Sequence, residues 1–303
     1  MDAKNWLHSL RPPTAPKPIL AEISVVIPTL GRPILENSLA YLLAGDVWPG
    51  GVVVVDQGMN PAVAEWLAIL QAAGITTTYL PTAERGRAVG LNRGLAQVTT
   101  RYVAITDDDC FVERAWLKNM MAHLAVQAPL VVTGRVLPAG DEEVIGVVDA
   151  AAPALYRRPR LKFDNLSGGN MGTSLAVFQQ VGFFDEHPTV RTSEDGEWAY
   201  RALRAGVPIQ YTPEVTVYHY GWRPAGERLT QYQSYARTHG GFYGKYLRQG
   251  DGFIALRALL HYGRAVFYWL KGTIRRDADL AMFGRAYVTG LLPGIIAGMK
   301  RER

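Results

Sequence analysis

Residues 23–33, ISVVIPTLGRP, decide the fold. The apolar residues of 22–27, broken only at Ser24, are all β-branched, the pattern of a strand covered on both faces. Pro28, Gly31 and Pro33 then break the run and open a helix over 33–44. The same alternation continues outward, with strand 52–55, helix 61–73, strand 75–80, helix 88–98 and strand 102–106. Repeated strand and helix predict an α/β fold with a mostly parallel sheet and flanking helices. Ligands of such sheets bind outside the carboxyl ends of the strands. The chemistry is therefore expected in the loops that follow, which read PTLGRP, DQGMN, ERGR and DDDC.

Beyond Leu130 the pattern is less regular. A strand is expected over 131–136, a Gly-rich turn at SGGNMG (167–172), helices near 175–181 and 196–205, and a last strand over 215–219. About 80 residues of helical spacing follow. The chain divides into a Pro-rich lead over 1–20, an α/β domain over 21–222 with its boundary near Trp222, and a helical basic extension over 223–303.

Of the 303 residues, 48% are apolar, enough for a substantial core. Cys110 is the single cysteine, so no internal disulfide framework exists and a cytoplasmic setting is expected. No signal-peptide-like apolar segment opens the sequence, and no uninterrupted apolar run reaches membrane-span length. The formal charge of +5 is unevenly spread: residues 252–303 hold nine Lys or Arg and three acids, leaving the rest near −1. A neutral body with a basic tail argues against nucleic-acid binding.

Asp107, Asp108 and Asp109 end an apolar strand, and three adjacent carboxylates are most readily reconciled by a divalent cation. The competing account is that one of them caps the helix near Glu113. Ser193-Glu194-Asp195 is an acidic turn opening a helix, where a carboxylate could act as general base or simply favour the helix dipole. Gly168 and Gly169 would let backbone approach a ligand closely. Glu84 to Gly94 sets Arg85, Arg87 and Asn92 among glycines at a helix N-terminus, a plausible anion site. His219 ends the last strand, in YHYGWR.

In this order the segments resemble family 2 glycosyltransferases, an inverting group with the GT-A fold. SVVIPTLGRP is similar to the opening strand and nucleotide loop, VVVVDQG to the second strand with its base-contacting Asp, and ERGRAVGLNRG to the Gly- and Asn-containing segment. ITDDDC resembles the DxD element, SGGNMGTSLAVFQQVGFFDE the GGN segment with its downstream GFDE, SEDGEW the ED element, and VYHYGWR the late metal-binding His. The resemblance covers about 23–223. It implies a nucleotide-sugar site at Pro28, Thr29, Arg32, Asp56, Arg85, Asn92, Asp107 and Asp108, with Asp108 also able to share a metal. It implies a metal at Asp109 and His219, a base at Asp195 oriented by Glu194, and a sugar and acceptor site at Gly169, Asn170 and Trp198.

The expected reaction is metal-dependent transfer, with Mn2+ or Mg2+ as cofactor, from a UDP- or dTDP-sugar to a saccharide or lipid-linked hydroxyl acceptor, with inversion. Two alternatives are a polyprenyl-phosphate glycosyltransferase and a nucleotidyltransferase; the ED element weighs against the first, and the lack of a lysine in PTLGRP against the second. The tail interleaves Leu256, Leu259, Leu260, Val266, Phe267, Trp269 and Leu270 with Arg257, Arg264 and Lys271. It is expected either to lie peripherally on the inner face of the cell membrane or to pack on the protein or in a homo-oligomer.

Overall fold

The computed structural model describes residues 7–126, 128–140, 146–162, 166–221 and 225–301. The α/β expectation holds. Strands β1 (Ile19–Thr29), β2 (Trp48–Asp56), β3 (Thr76–Pro81) and β4 (Tyr102–Thr106) alternate with helices α1 (Ile34–Ala44), α2 (Ala62–Ala72) and α3 (Arg87–Leu95). Their order is β3-β2-β1-β4, all parallel. The register aligns Thr29 with Asp56 and Asp56 with Pro81, so the strands finish on one edge. Ile23, Val25, Ile27, Val52 and Val54 are buried with Leu35, Leu39, Leu42 and Leu43 of α1, whose i, i+4, i+7, i+8 spacing forms one apolar helix face.

The second half of the sheet is mixed. After β5 (Cys110–Val112) and α4 (Trp116–Leu124) come β6 (Val131–Pro138), β7 (Ala154–Tyr156), β8 (Asn170–Ser174), α5 (Leu175–Val181), α6 (Glu194–Arg204) and β9 (Ile209–His219). The order continues β4-β8-β6-β9-β5, with β7 also on β9. Three of these strands, β5, β7 and β8, have no counterpart in the sequence reading. The expected turn at SGGNMG becomes a strand from Asn170 onward, because β8 runs antiparallel between β4 and β6 and starts where β4 ends, Thr106 opposite Asn170.

Contacts group the chain into two compact units over their described residues. The first is Met1–Arg158, Asn165–Phe184 and Ala199–Trp222, and the second Pro159–Asp164, Asp185–Trp198 and Arg223–Arg303. The expected boundary residue, Trp222, lies outside the described residues, and the second unit also takes in segments well before it.

The second unit is built on α7 (Arg228–Leu247), α8 (Gly252–Arg275) and α9 (Ala278–Lys300). Asp251 and Asp277 cap α8 and α9, accepting hydrogen bonds from the Ile254 and Leu280 amides at 3.1 and 3.0 Å. Helices α7 and α9 touch backbone to backbone. A Cβ on Gly240, Gly244, Gly294 or Gly298 would collide with a carbonyl oxygen of the facing helix. Asp185 draws the ends together, accepting from Lys245 at 2.8 Å and Arg301 at 2.7 Å. Burial alone would raise the Asp185 pKa, but Arg301 and Lys245 hold it well below the usual carboxylate range. Among the described residues, α9 is long and apolar enough to cross a membrane by length and composition; its glycine face is occupied by α7.

His261 of α8 is buried, its Nδ1 2.9 Å from the Tyr243 hydroxyl. Burial, then His239, Arg264 and Arg257, push it down to about 2. The unfolded imidazole binds a proton below about pH 6.5 while the folded one does not. Its contribution is therefore complete above that pH and lost as pH falls toward 2, by at most about 1.4 kcal/mol per unit. The urea midpoint should fall less between pH 7 and 4.5 in His261→Gln than in wild type; equal falls would refute the burial of a neutral ring. Gly294→Val should cost more than about 3 kcal/mol by prising α7 from α9. Gly263→Ala, which meets nothing within 4 Å, should gain about 0.5–1 kcal/mol in the same urea titrations.

Candidate functional site

The carboxyl edge of the parallel strands gathers Thr29, Arg32, Asp56, Asp107, Asp108 and Asp109. The three consecutive acids are separated by giving each a different partner. Asp107 accepts from Arg87 Nε at 2.8 Å. Asp108 turns inward, accepting from Thr29 Oγ1 at 2.6 Å and from both Nε and Nη2 of Arg32. Asp109 accepts from Arg32 Nη2 at 2.9 Å through one oxygen and points the other at His219. Burial pushes Asp108 up to about 6, with Asp109 adding to the rise and the hydrogen bonds of Arg32 and Thr29 opposing it. Burial likewise disfavours the Arg32 charge, but Asp108 and then Asp109 outweigh it and raise its pKa.

His219 arrives through β-pairing. The short strand β5 runs antiparallel to β9 with Cys110 opposite His219, and the Tyr220 amide donates to the Asp109 carbonyl at 2.8 Å. His219 Nε2 then lies 3.6 Å from Asp109 Oδ1. One ligand atom each from Asp109, Cys110 and His219 fall within 4.8 Å of one another. Two donors each about 2.1 Å from one ion, at right angles, stand about 3 Å apart, so the carboxylate and imidazole are close to chelating distance. Burial, then the charges of Asp109 and Asp107, hold the Cys110 thiol pKa well up, which leaves the Asp109 and His219 pair as the readier donors. A carboxylate oxygen with an imidazole nitrogen is a donor set for a divalent transition metal.

The glycine turn meets this edge from the other side. A Cβ at Gly168 would lie 2.7 Å from Arg87 Nη1, and one at Gly169 would lie 2.8 Å from Asp107 Oδ2 and 3.0 Å from Cys110 Sγ. At Gly168 only the mobile end of Arg87 would have to give way, whereas at Gly169 a side chain would crowd both the Asp107 carboxylate and the Cys110 thiol. Asn170 and Trp198, expected beside the sugar and acceptor, are instead fully buried. Asn170 is a brace: its amide donates to the carbonyls of Arg135 and Val215 at 2.8 and 2.9 Å and accepts from Trp116 Nε1 at 2.8 Å. Both of its donors and one lone pair of its oxygen are thus committed to β6, β9 and α4 inside the sheet.

The expected nucleotide residues divide similarly. Pro28 and Thr29 are buried at the end of β1. Asp56 is fully buried and folds its own loop, accepting from the amides of Gly58 and Asn60 at 2.8 and 2.7 Å and from Tyr79 Oη at 3.0 Å. Asn92 exchanges both hydrogen bonds with the Phe184 backbone at 2.9 and 3.0 Å, so it pins the GFFDE segment rather than facing a ligand. Arg85 is exposed on the loop. Of the two arginines flanking Gly86, the one that reaches the acidic edge is Arg87, the first residue of α3, which belongs to the expected anion site but not to the expected nucleotide-sugar site. The sequence reading passed over Cys110 as a donor.

In the second unit, Glu194, Asp195 and Glu197 occupy the first turn of α6. Glu194 and Glu197 are buried, Glu197 accepting from Lys245 Nζ and Tyr246 Oη, each at 2.6 Å. Asp195 is the one of the three that reaches solvent.

Residues 24–183 match the family model described as glycosyl transferase family 2. The chain is 28% identical over 223 residues to the pre-mycofactocin glycosyltransferase of Mycobacterium tuberculosis, covering 69% of this chain and 44% of that protein. It is 25% identical over 240 residues to chondroitin synthase of Escherichia coli, covering 66% and 35% respectively. It thus spans less than half the length of these relatives. A mannosyltransferase from Pyrobaculum calidifontis, solved with GDP-Man and Mn2+, aligns over 98% of this chain and 91% of that one with TM-score 0.62 and 19% identity. S. aureus TarS 1–349 with UDP-GlcNAc aligns over 88% and 90% with TM-score 0.55 and 13% identity. These likenesses establish a common fold, and the family model, which spans more than half of the sequence, establishes that the chain belongs to glycosyl transferase family 2.

Proposed function

We propose that this protein is an inverting glycosyltransferase that moves a sugar from a nucleotide diphosphate to a hydroxyl group, with a divalent cation held by Asp109 and His219. The observation that carries the reading is the 3.6 Å approach of His219 Nε2 to Asp109 Oδ1 at the carboxyl edge of the sheet. The mannosyltransferase solved with GDP-Man and Mn2+ shares that sheet and supports the same chemistry here. The cation, when bound, supplies positive charge for the diphosphate leaving group.

The chain's own groups do the rest. Arg87 and Arg32 border the acidic edge and offset the charge of its three adjacent carboxylates beside an anionic donor. Asp195 takes the proton of the acceptor hydroxyl as its oxygen forms a bond to the anomeric carbon and the bond to the diphosphate breaks. A single displacement of this kind inverts the anomeric centre. Asp195 is preferred to Glu194 and Glu197 because an acceptor proton must reach the base, and of the three only Asp195 is open to solvent. The acceptor proposed is a growing glycan or a lipid-linked saccharide. Relatives carry GDP-Man and UDP-GlcNAc, so donors of several bases belong in the first screen beside UDP- and dTDP-sugars.

Asp195→Asn should leave donor binding unchanged and lower kcat by roughly two to four orders of magnitude. Turnover close to wild type would remove Asp195 from the reaction. His219→Ala should shift the Mn2+ titration of activity to higher concentration, and Asp109→Ala should leave almost no turnover at any concentration. An unchanged titration in His219→Ala would take the imidazole out of the metal site.

A further inference from the structure

Helix α8 has two apolar faces. Ile254, Ala258, His261, Ala265 and Gly272 are buried within the second unit. On the opposite side Leu256, Leu259, Leu260, Phe267, Leu270 and Ile274 are all exposed, reaching 69% at Leu259, 57% at Phe267 and 81% at Ile274. At 3.6 residues per turn they fall within an arc of about 100° that runs for roughly 27 Å along the helix. Single exposed apolar side chains are ordinary, but a continuous line of six is the mark of a contact surface.

The charges on this helix decide what covers the line. Between Gly252 and Arg275 there are four basic residues and no Asp or Glu. Arg257 turns inward, its guanidinium 5.7 and 5.9 Å from the rings of Phe242 and Tyr243, which removes it from the surface the sequence had given it. Lys271 and Arg275 lie along one edge of the exposed arc, Lys271 Nζ 5.8 Å from the Phe267 ring, and the half-buried Arg264 on the same edge donates to the Leu161 carbonyl at 3.3 Å. An apolar stripe with cations along its edge and no acid on its helix is complementary to an anionic lipid surface, where the stripe enters the acyl boundary and the cations stay among the phosphates. We infer that α8 lies flat in the interface of an anionic bilayer and docks this protein there. The inference is independent of the sugar-transfer reading.

The full chain is mixed with vesicles of phosphatidylglycerol and phosphatidylcholine, or of phosphatidylcholine alone, and floated on a density gradient. Wild type should rise with the anionic vesicles and bind the zwitterionic ones at least tenfold less. Phe267→Asp, Leu270→Asp and Ile274→Asp combined, all on exposed positions, should lower the bound fraction at least tenfold with unchanged helical circular dichroism. Lys271→Glu with Arg275→Glu should do the same at low salt without touching the apolar line. Wild type remaining at the bottom with anionic vesicles would overturn the inference, as would either variant floating like wild type. A wild-type dimer in sedimentation velocity that the triple variant abolishes, with no flotation, would assign the stripe to a second copy and also overturn it.

Discussion

Three carboxylates in a row at the end of a strand are an electrostatic problem, and much of the first unit is arranged around its solution. Each acid leaves the chain in a different direction and meets its own cation or donor: Asp107 at Arg87, Asp108 at Thr29 and Arg32, Asp109 at Arg32 and His219. The most buried of them, Asp108, does not face outward at all; it ties the first loop of the sheet to the fourth strand end. Breaking a buried pair costs far more than an exposed one, because it strands a charge in low dielectric. The Arg32 guanidinium thus holds the edge in shape while leaving one oxygen of Asp109 directed at the imidazole.

The second constraint is reach. His219 follows Asp109 by more than a hundred residues, and the two meet because β5, three residues long, turns back to pair with β9. A pairing of that length has little propensity of its own. It is held by neighbours such as Phe111, fully buried and stacked on Tyr41 at 4.9 Å.

The legible part of the sequence was the part in which one principle acts alone. Strands β1, β2 and β4 carry buried runs rich in Val and Ile that announced them, whereas β3, TTTYLP, is a partly buried edge strand; the loops at their ends followed from the topology. β8, with the sequence NMGTS, carries little strand propensity; its pairing with β4 and β6 overrides it. Motif spacing pointed to loops that the fold gathers at one sheet edge, but not to the direction of each side chain. Asn170 and Asn92 look like ligand-binding amides and serve as backbone braces, and of the two arginines flanking Gly86 the more C-terminal one reaches Asp107. Such assignments depend on hydrogen-bond competition among groups distant in sequence, which no local pattern records.

The glycine seam between α7 and α9 carries a further consequence. Most helix pairs in water adhere by driving solvent off large side chains, an adhesion that vanishes when the surroundings themselves become oily. Here Gly240 and Gly244 meet Gly294 and Gly298, and main chain lies against main chain. Cohesion of that kind comes from close atomic approach and is indifferent to the polarity of the medium outside. The seam between α7 and α9 therefore depends less on the liquid around it than a seam of large side chains would.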